Sequence, residues 1–295
     1  MSVSMADRAV AAGFTAGWKL VPLLPHKLTG RGFDLAADRV WRGRGPSVRR
    51  LEANLSRVTG LEGEQLRELS RRGMRSYFRY FHEVFRLPKM PSDEIVRRTH
   101  VTGGHHIFDT LGSGRGVVLA LPHIGNWDQA GAWLTGSGHR FTTVAERLKP
   151  ESLYRRYTAF REGLGMEVLP LTGGEGHTIG TLASRVRRGG VVCLPAERDL
   201  TKNGIEVQFF GHTTKVPAGP ALLAVQTGAA LLPALPYFHG DDWGLIIDPE
   251  IPVPVEGTRQ EKVAVVAQRL VEVFEKGIAD HPEDWHMMQR LWIDQ

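Results

Sequence analysis

From about residue 112 the chain alternates short apolar runs with amphipathic ones. The apolar runs VVLALP (117–122), FTTVAE (141–146), MEVLPL (166–171) and VVCLPA (191–196) have strand length and are separated by segments of helical period: one starting at Trp127, then ESLYRRYTAFREGLG and TIGTLASRVRRGG. This alternation predicts an α/β fold with a central, mostly parallel sheet flanked by helices. Downstream, PAGPALLAVQTG reads as a helix, AALLPALPYF and WGLIIDPE as two further strands, and RQEKVAVVAQRLVEVFEKGIAD as a long closing helix.

Upstream the period is helical throughout. In SVRRLEANLSRVTG, Ser47 reads as the N-cap, Val48, Leu51, Leu55 and Val58 share a face, and Gly60 is the stop. The next segment, EQLRELSRRGMRSYFRYFHEVFRLP, carries Leu66, Leu69, Tyr77, Phe78, Phe81 and Phe85 along a broad apolar stripe and ends before Pro88. Such a stripe reads as core. With no internal repeat and no flexible linker, residues 1–295 read as one domain with an N-terminal helical layer, residues 1–45 forming an amphipathic segment of their own.

Composition narrows the setting. A chain of 295 residues that is 42% hydrophobic buries a substantial core. The single cysteine, Cys193, lies within an apolar run and has no intramolecular disulfide partner, which points to a reducing compartment. Thirty-seven Lys and Arg against 32 Asp and Glu suit a phosphate-bearing partner. The basic residues are scattered, and neither zinc spacing nor an aromatic-rich basic repeat occurs, so nucleic acid is not an expected partner. No apolar run approaches the roughly 18 residues that span a bilayer. DRAVAAGFTAGWKLVPLLPHKL nevertheless combines Phe14, Trp18, Leu20, Leu23 and Leu24 with Arg8, Lys19 and Lys27, a mixture that fits a helix lying in the lipid interface and equally a helix packed on its own domain.

Candidate chemistry sits at the strand exits, where open parallel sheets meet their ligands. VVLALP runs into His123, Gly125, Asn126 and Asp128. On one continuous helix His123 and Asp128 would lie on different faces, whereas a loop through Gly125 can bring them together, with Asn126 as N-cap and Asp128 in a dipole-favoured first turn. An imidazole held in one tautomer by a carboxylate is a general base. A histidine satisfied by its surroundings is the plainer reading of one His-x4-Asp spacing. VVCLPA likewise runs into Glu197, Arg198 and Asp199, and adjacent parallel strands would set Glu197 beside His123. TTVAERLKP places Glu146, Arg147 and Lys149 after a strand, the two basic residues being candidates for phosphate. Arg161 lies in the following helix, either turned inward or solvated.

Six ordered blocks, HIGNWD, VAERLKPESLY, FREGLGMEVLPL, VVCLPAERDL, VQFFGHTTKVPAGPALLAVQTGAALLP and HPEDWHMMQ, resemble the bacterial acyltransferases of the lipid A lauroyl transferase type. The likeness is greater to the branch that acylates phosphatidylinositol mannosides. The resemblance spans nearly the whole chain and is weakest in the first 45 residues. It implies a lysophospholipid acyltransferase-like fold and an enzyme that moves a fatty acyl group, palmitoyl above all, from acyl-CoA to a mannose hydroxyl of a mannosylated phosphatidylinositol. The inner face of the plasma membrane is the implied location, reached through the N-terminal segment. No cofactor is implied beyond acyl-CoA as co-substrate.

Carried over residue by residue, His123 is the implied catalytic base, Asp128 completes the motif, and Glu197 stands where the mannoside branch has a glutamate bonded to that histidine. Glu146 and Arg161 match site-lining positions, and Asn126, Arg147 and Lys149 join them as candidate substrate contacts. Lipid A transferases typically carry aspartate at the place of Glu197. Ile124 departs from the small residue common in relatives. The expected chemistry is direct transfer, with Asp128 and Glu197 both fixing the His123 tautomer, since Cys193 lies in mid-strand and no Gly-x-Ser-x-Gly elbow occurs. The segments around GAWL and FFG are the expected lining of an acyl groove. The alternatives are a lipid A-type transferase using acyl carrier protein and an acyl-CoA thioesterase.

Overall fold

A computed structural model describes residues 5–146, 150–171, 178–199 and 204–294, with side chains from residue 11 onward. Four helices lead: α1 (Met5–Leu20), α2 (His26–Arg42), α3 (Pro46–Thr59) and α4 (Gly63–Arg86). After α5 (Ser92–Arg97) come β1 (Thr99–Thr102), α6 (His105–Gly112), β2 (Val117–Leu121), α7 (Trp127–Gly136), β3 (Phe141–Ala145), α8 (Glu151–Gly163), β4 (Glu167–Pro170), α9 (Thr178–Arg187) and β5 (Val191–Pro195). The chain continues through β6 (Ile205–Phe209), β7 (His212–Val216), α10 (Gly219–Thr227), β8 (Ala230–His239), β9 (Asp242–Ile247) and α11 (Arg259–Asp280).

Among the described residues seven strands form one sheet in the order β1-β9-β8-β2-β5-β3-β4. Neighbours are parallel except β8 and β9, so the mostly parallel sheet expected from the alternation is present. Its middle strands are apolar without a break because both faces are covered. Alternate residues serve different layers. Val118, Ala120, Val192, Leu194 and Leu231 face a core built with α9, α10 and α11. Val117, Leu119, Val191, Cys193 and Leu232 face the other, against Ala132, Trp133 and Leu134 of α7.

Differences from expectation are local. The N-cap of α3 is Gly45, with Pro46 at the first helical position; Ser47 lies inside the first turn and makes no cap, because proline's fixed φ is already helical and needs no donor there. Gly60 closes α3 at φ +68° as expected. The edge strand β1 and the β6–β7 hairpin carry too little apolar length to read as strands. Phe210 and Gly211 form the hairpin's two-residue turn with φ of 48° and 73°, and the strained Phe210 is held by its N–H donating to the Glu275 carboxylate.

The N-terminal segment divides between its two readings. Phe14 and Trp18 of α1 pack inward by edge-on contacts with Phe81, Phe85 and Tyr157. Leu20, Leu23, Leu24, Leu28 and Leu35 remain exposed. No helix among the described residues is long and apolar enough to cross a membrane.

Candidate active site

The parallel register of β2 and β5 pairs Leu121 with Pro195, so the residues two places beyond, His123 and Glu197, leave the sheet side by side. The Glu197 carboxylate is fully buried, and its Oε1 and Oε2 lie 2.8 and 2.9 Å from His123 Nδ1. The His123 backbone N–H also donates to Oε1. A carboxylate accepts only, so Nδ1 carries the ring proton and Nε2 presents its lone pair. The His123 side chain is 37% exposed and lines a cavity of about 720 Å³.

The turn after His123 is pinned from several sides. Gly125 has φ +55°, its N–H donates to the Asp284 carbonyl, and a Cβ there would stand 2.5 Å from the Pro236 carbonyl oxygen, so no larger residue fits. Asn126 caps α7 by accepting from the Gln129 N–H, and its amide donates to Glu83. It is 1% exposed and does not reach the cavity, which corrects its expected role as a substrate contact: both ends of its amide are consumed in holding the turn. Ile124 is buried and bridges to Trp285, so its bulk faces core.

Asp128 differs from expectation too. Its carboxylate accepts from Tyr80 Oη at 2.6 Å and from Arg161 Nε and a terminal nitrogen at 2.7 and 3.3 Å. Among the described residues Glu197, not Asp128, is the carboxylate bonded to His123. Asp128 lies in the first helical turn and turns toward α4 and α8, tying both to the wall of the site. Burial first, and then the Asp128 charge, push the Tyr80 hydroxyl well above its ordinary range, so it acts as a neutral donor. Burial opposes the Arg161 charge, and Asp128 outweighs it, leaving the guanidinium above its ordinary value. Arg161 is thus turned inward and lines the cavity.

Glu146 is exposed on the cavity rim, near which Arg198 and Asp199 also contribute lining. Arg147 and Lys149 lie outside the described residues. The part of the cavity between the sheet and α7, its apolar arm, is walled by Leu119, Cys193, Ala234, Leu245, Gly131 and Trp133. GAWL therefore lines the cavity, through Gly131, Trp133 and Leu134. FFG does not: Phe209 packs in the opposite core against Trp285 and Trp292, where the hairpin closes on the C-terminal segment. Burial holds the Cys193 thiol far above its usual range, consistent with a wall residue and not a nucleophile.

The aromatic stripe of α4, core by its pattern, lines the cavity with Tyr77, Phe78 and Phe81, and Tyr80 joins them. His286, to which no spacing points, is buried beside the site, and its backbone N–H donates to the His123 carbonyl at 2.8 Å. The block HPEDWHMMQ was the signal available for it.

The family model for bacterial lipid A biosynthesis acyltransferases matches residues 2–294. The chain belongs to that family. It is an acyltransferase. The chain is 45% identical over 292 residues to the phosphatidylinositol mannoside acyltransferase of Mycolicibacterium smegmatis, covering 99% of this chain and 94% of that protein. It is 46% identical over 293 residues to the phosphatidylinositol mannoside acyltransferase of Mycobacterium tuberculosis, covering 98% and 90%.

Proposed function

We propose that this acyltransferase moves a fatty acyl chain, palmitoyl among them, from acyl-CoA to a mannose hydroxyl of a mannosylated phosphatidylinositol, with His123 as general base. The observation that carries the reading is the His123–Glu197 pair, whose histidine lines a cavity with largely apolar walls. A cavity of this size lies within the roughly 300–1,000 Å³ usual for small-molecule sites, and its apolar walls suit a hydrocarbon chain. The acceptor class follows relatives that carry it in their names.

In the proposed reaction His123 Nε2 takes the proton of the mannose hydroxyl as that oxygen attacks the thioester carbonyl. The buried Glu197 carboxylate stabilises the imidazolium so formed. The C–S bond breaks, and the thiolate of CoA takes the proton from His123, which restores the neutral ring. No covalent acyl-enzyme and no cofactor takes part. Glu146 on the rim and Arg161 in the wall are proposed substrate contacts, with Arg147 and Lys149 serving the CoA phosphates.

The protein is proposed to work at the cytoplasmic face of the plasma membrane. The exposed leucines of the N-terminal segment support this, since Leu28 and Leu35 share a face of α2 and lie among Lys27, Arg31 and Arg39, as in helices that rest on anionic lipid.

Acyl transfer from palmitoyl-CoA to a purified phosphatidylinositol mannoside, with wild type and His123→Ala side by side, tests the reading. Acylated mannoside made only by the wild type supports it. Thioester hydrolysis with no stimulation by the mannoside would favour a thioesterase instead, and preference for acyl carrier protein over CoA would favour the lipid A-type donor.

A further inference from the structure

Two consecutive residues at the start of α7 grip one side chain of α4. Asp128 accepts from Tyr80 Oη at 2.6 Å, and the ring of Trp127 lies against the ring of Tyr80, with centroids 4.2 Å apart and planes 30° from parallel. Tyr80 is 3% exposed, and burial, then the Asp128 charge, keep its hydroxyl protonated as a donor. Arg161 holds the same carboxylate through Nε and a terminal nitrogen. Trp127, half-buried on the cavity wall, in turn meets the His123 ring edge-on, at 5.4 Å between centroids and 80° between planes. Asp128 is therefore linked to His123 through two aromatic rings, although its carboxylate is spent on Tyr80 and Arg161.

We propose that Trp127 is a positioning residue for the base: anchored by Tyr80 and, through the Tyr80 hydroxyl, by Asp128, it restrains the His123 ring so that Nε2 stays aimed at the acceptor hydroxyl. The inference rests on His123 being the base, as read above, and goes beyond it by giving the carboxylate of the His-x4-Asp spacing a route to that base. Glu197 sets the tautomer and the orientation from the Nδ1 side. Histidine χ2 nevertheless occupies a broad well, and both Glu197 oxygens lie within bonding distance of Nδ1, so rocking of the ring costs little at that end. Solvent does not restrain it either, the side chain being 37% exposed. Displacement of a reacting group by about 1 Å can cost about a hundredfold in rate, so a second contact on the ring matters to turnover. Trp127 makes that contact, and the Tyr80 stack and the Asp128 bond are what keep the indole from turning with the imidazole.

A double-mutant cycle tests the linkage. Trp127→Leu removes the ring that meets His123, and Tyr80→Phe keeps the stack while removing the bond to Asp128. With palmitoyl-CoA and the mannoside, kcat is expected to fall about 10–100-fold in W127L, with both KM values within about threefold of wild type, and Trp127→Phe to restore most of the loss. Y80F is expected to lower kcat about fivefold in the wild-type background but less than about twofold in W127L, because the link it acts through is already cut. Additive losses overturn the inference while leaving His123 as the base. A raised KM for the mannoside with kcat unchanged also overturns it, assigning Trp127 to the sugar. His123→Ala with wild-type turnover overturns the base reading and the inference together. A second readout needs no turnover: the Nδ1–H proton signal of His123, identified by its absence from His123→Ala, is expected to exchange faster with water in Y80F and W127L than in wild type. An unchanged signal in the mild variant Y80F, which keeps its ring in place, sinks the proposal whatever the folding of W127L.

Discussion

His123 and Glu197 are separated by 74 residues in the chain, yet the Glu197 carboxylate holds both the ring Nδ1–H and the backbone N–H of His123. The double attachment fixes the imidazole in tautomer and in orientation. Glu197→Gln keeps an acceptor and the shape but removes the charge that would stabilise an imidazolium. Turnover is expected to fall about 10²–10⁴-fold. Steady-state kinetics check this, and a kcat within threefold of wild type would mean that the pair is not the catalytic one.

Asp128 bonds Tyr80 and Arg161 and not His123, so its loss is expected to show in stability. In Asp128→Asn the buried Arg161 guanidinium keeps no counter-charge and Tyr80 loses an ionised acceptor. Breaking a buried pair from one side costs about 3 kcal/mol or more. Denaturant melts are expected to show that loss for Asp128→Asn and a smaller one for His123→Ala, where the buried Glu197 keeps the backbone N–H of residue 123. Equal midpoints for Asp128→Asn and wild type would refute the structural role.

What was legible in the chain follows from range. The strands β2, β3, β5 and β8 were readable because both faces are buried and each apolar run is bounded by Gly, Pro or charge. The meeting of His123 with Glu197 was readable because adjacent parallel strands bring their exits together. The partners of Asp128 were not, since Tyr80 and Arg161 stand 48 and 33 residues away on helices where a charged or aromatic residue reads equally as solvated face or core. His286 was hidden for the same reason, since Ser76, which its ring meets, stands 210 residues away.

Acid is expected to destabilise the fold through histidines buried in neutral form. Burial, and then the neighbouring His26, Arg86 and Arg79 charges, lower the His82 pKa to about 4, while Thr29 Oγ1 bonds its Nε2 at 2.8 Å and joins α2 to α4. Below the ordinary value of 6.5 the unfolded chain takes up a proton that the native state refuses, so stability falls from pH 6.5 down to about 4. His286 extends the decline to about pH 3. Glu167, held down to about 2 chiefly by its Arg185 hydrogen bonds, adds a loss between pH 4.5 and 2. Urea midpoints measured in pH steps are expected to follow this course, and His82→Gln to flatten the part above pH 4. An identical slope in that variant would remove His82 from the account.

The N-terminal leucines give a separate test of lipid contact. Leu23 is 77% and Leu35 70% exposed, well above the requirement of any internal packing, while Phe14 and Trp18 hold the helix in place from the inner side. A double Leu23→Asp, Leu35→Asp variant leaves the packed aromatics untouched. It is expected to keep its melting temperature and to lose at least tenfold in binding to anionic vesicles, measured by co-sedimentation. Unchanged binding would show that another surface meets the lipid.

Gly131 offers control over chain length. It sits in α7 on the wall of the apolar arm, and a Cβ there would lie 2.7 Å from Met166 Cε and 3.0 Å from Phe141 Cζ. Inside a helix glycine costs about 1 kcal/mol relative to alanine, so alanine would be the better residue unless the space were needed. The Met166 tip can yield to a single methyl, and Gly131→Ala is therefore expected to fold normally. Gly131→Leu cannot be absorbed in this way and must project into the arm or drive Met166 into it. Either displacement removes room for roughly two methylenes of the acyl chain, worth about 0.8 kcal/mol each. The kcat/KM for palmitoyl-CoA relative to lauroyl-CoA is then expected to drop about tenfold or more. An unchanged ratio would mean that the acyl chain does not enter between α7 and the sheet, and that the arm serves another part of the substrate.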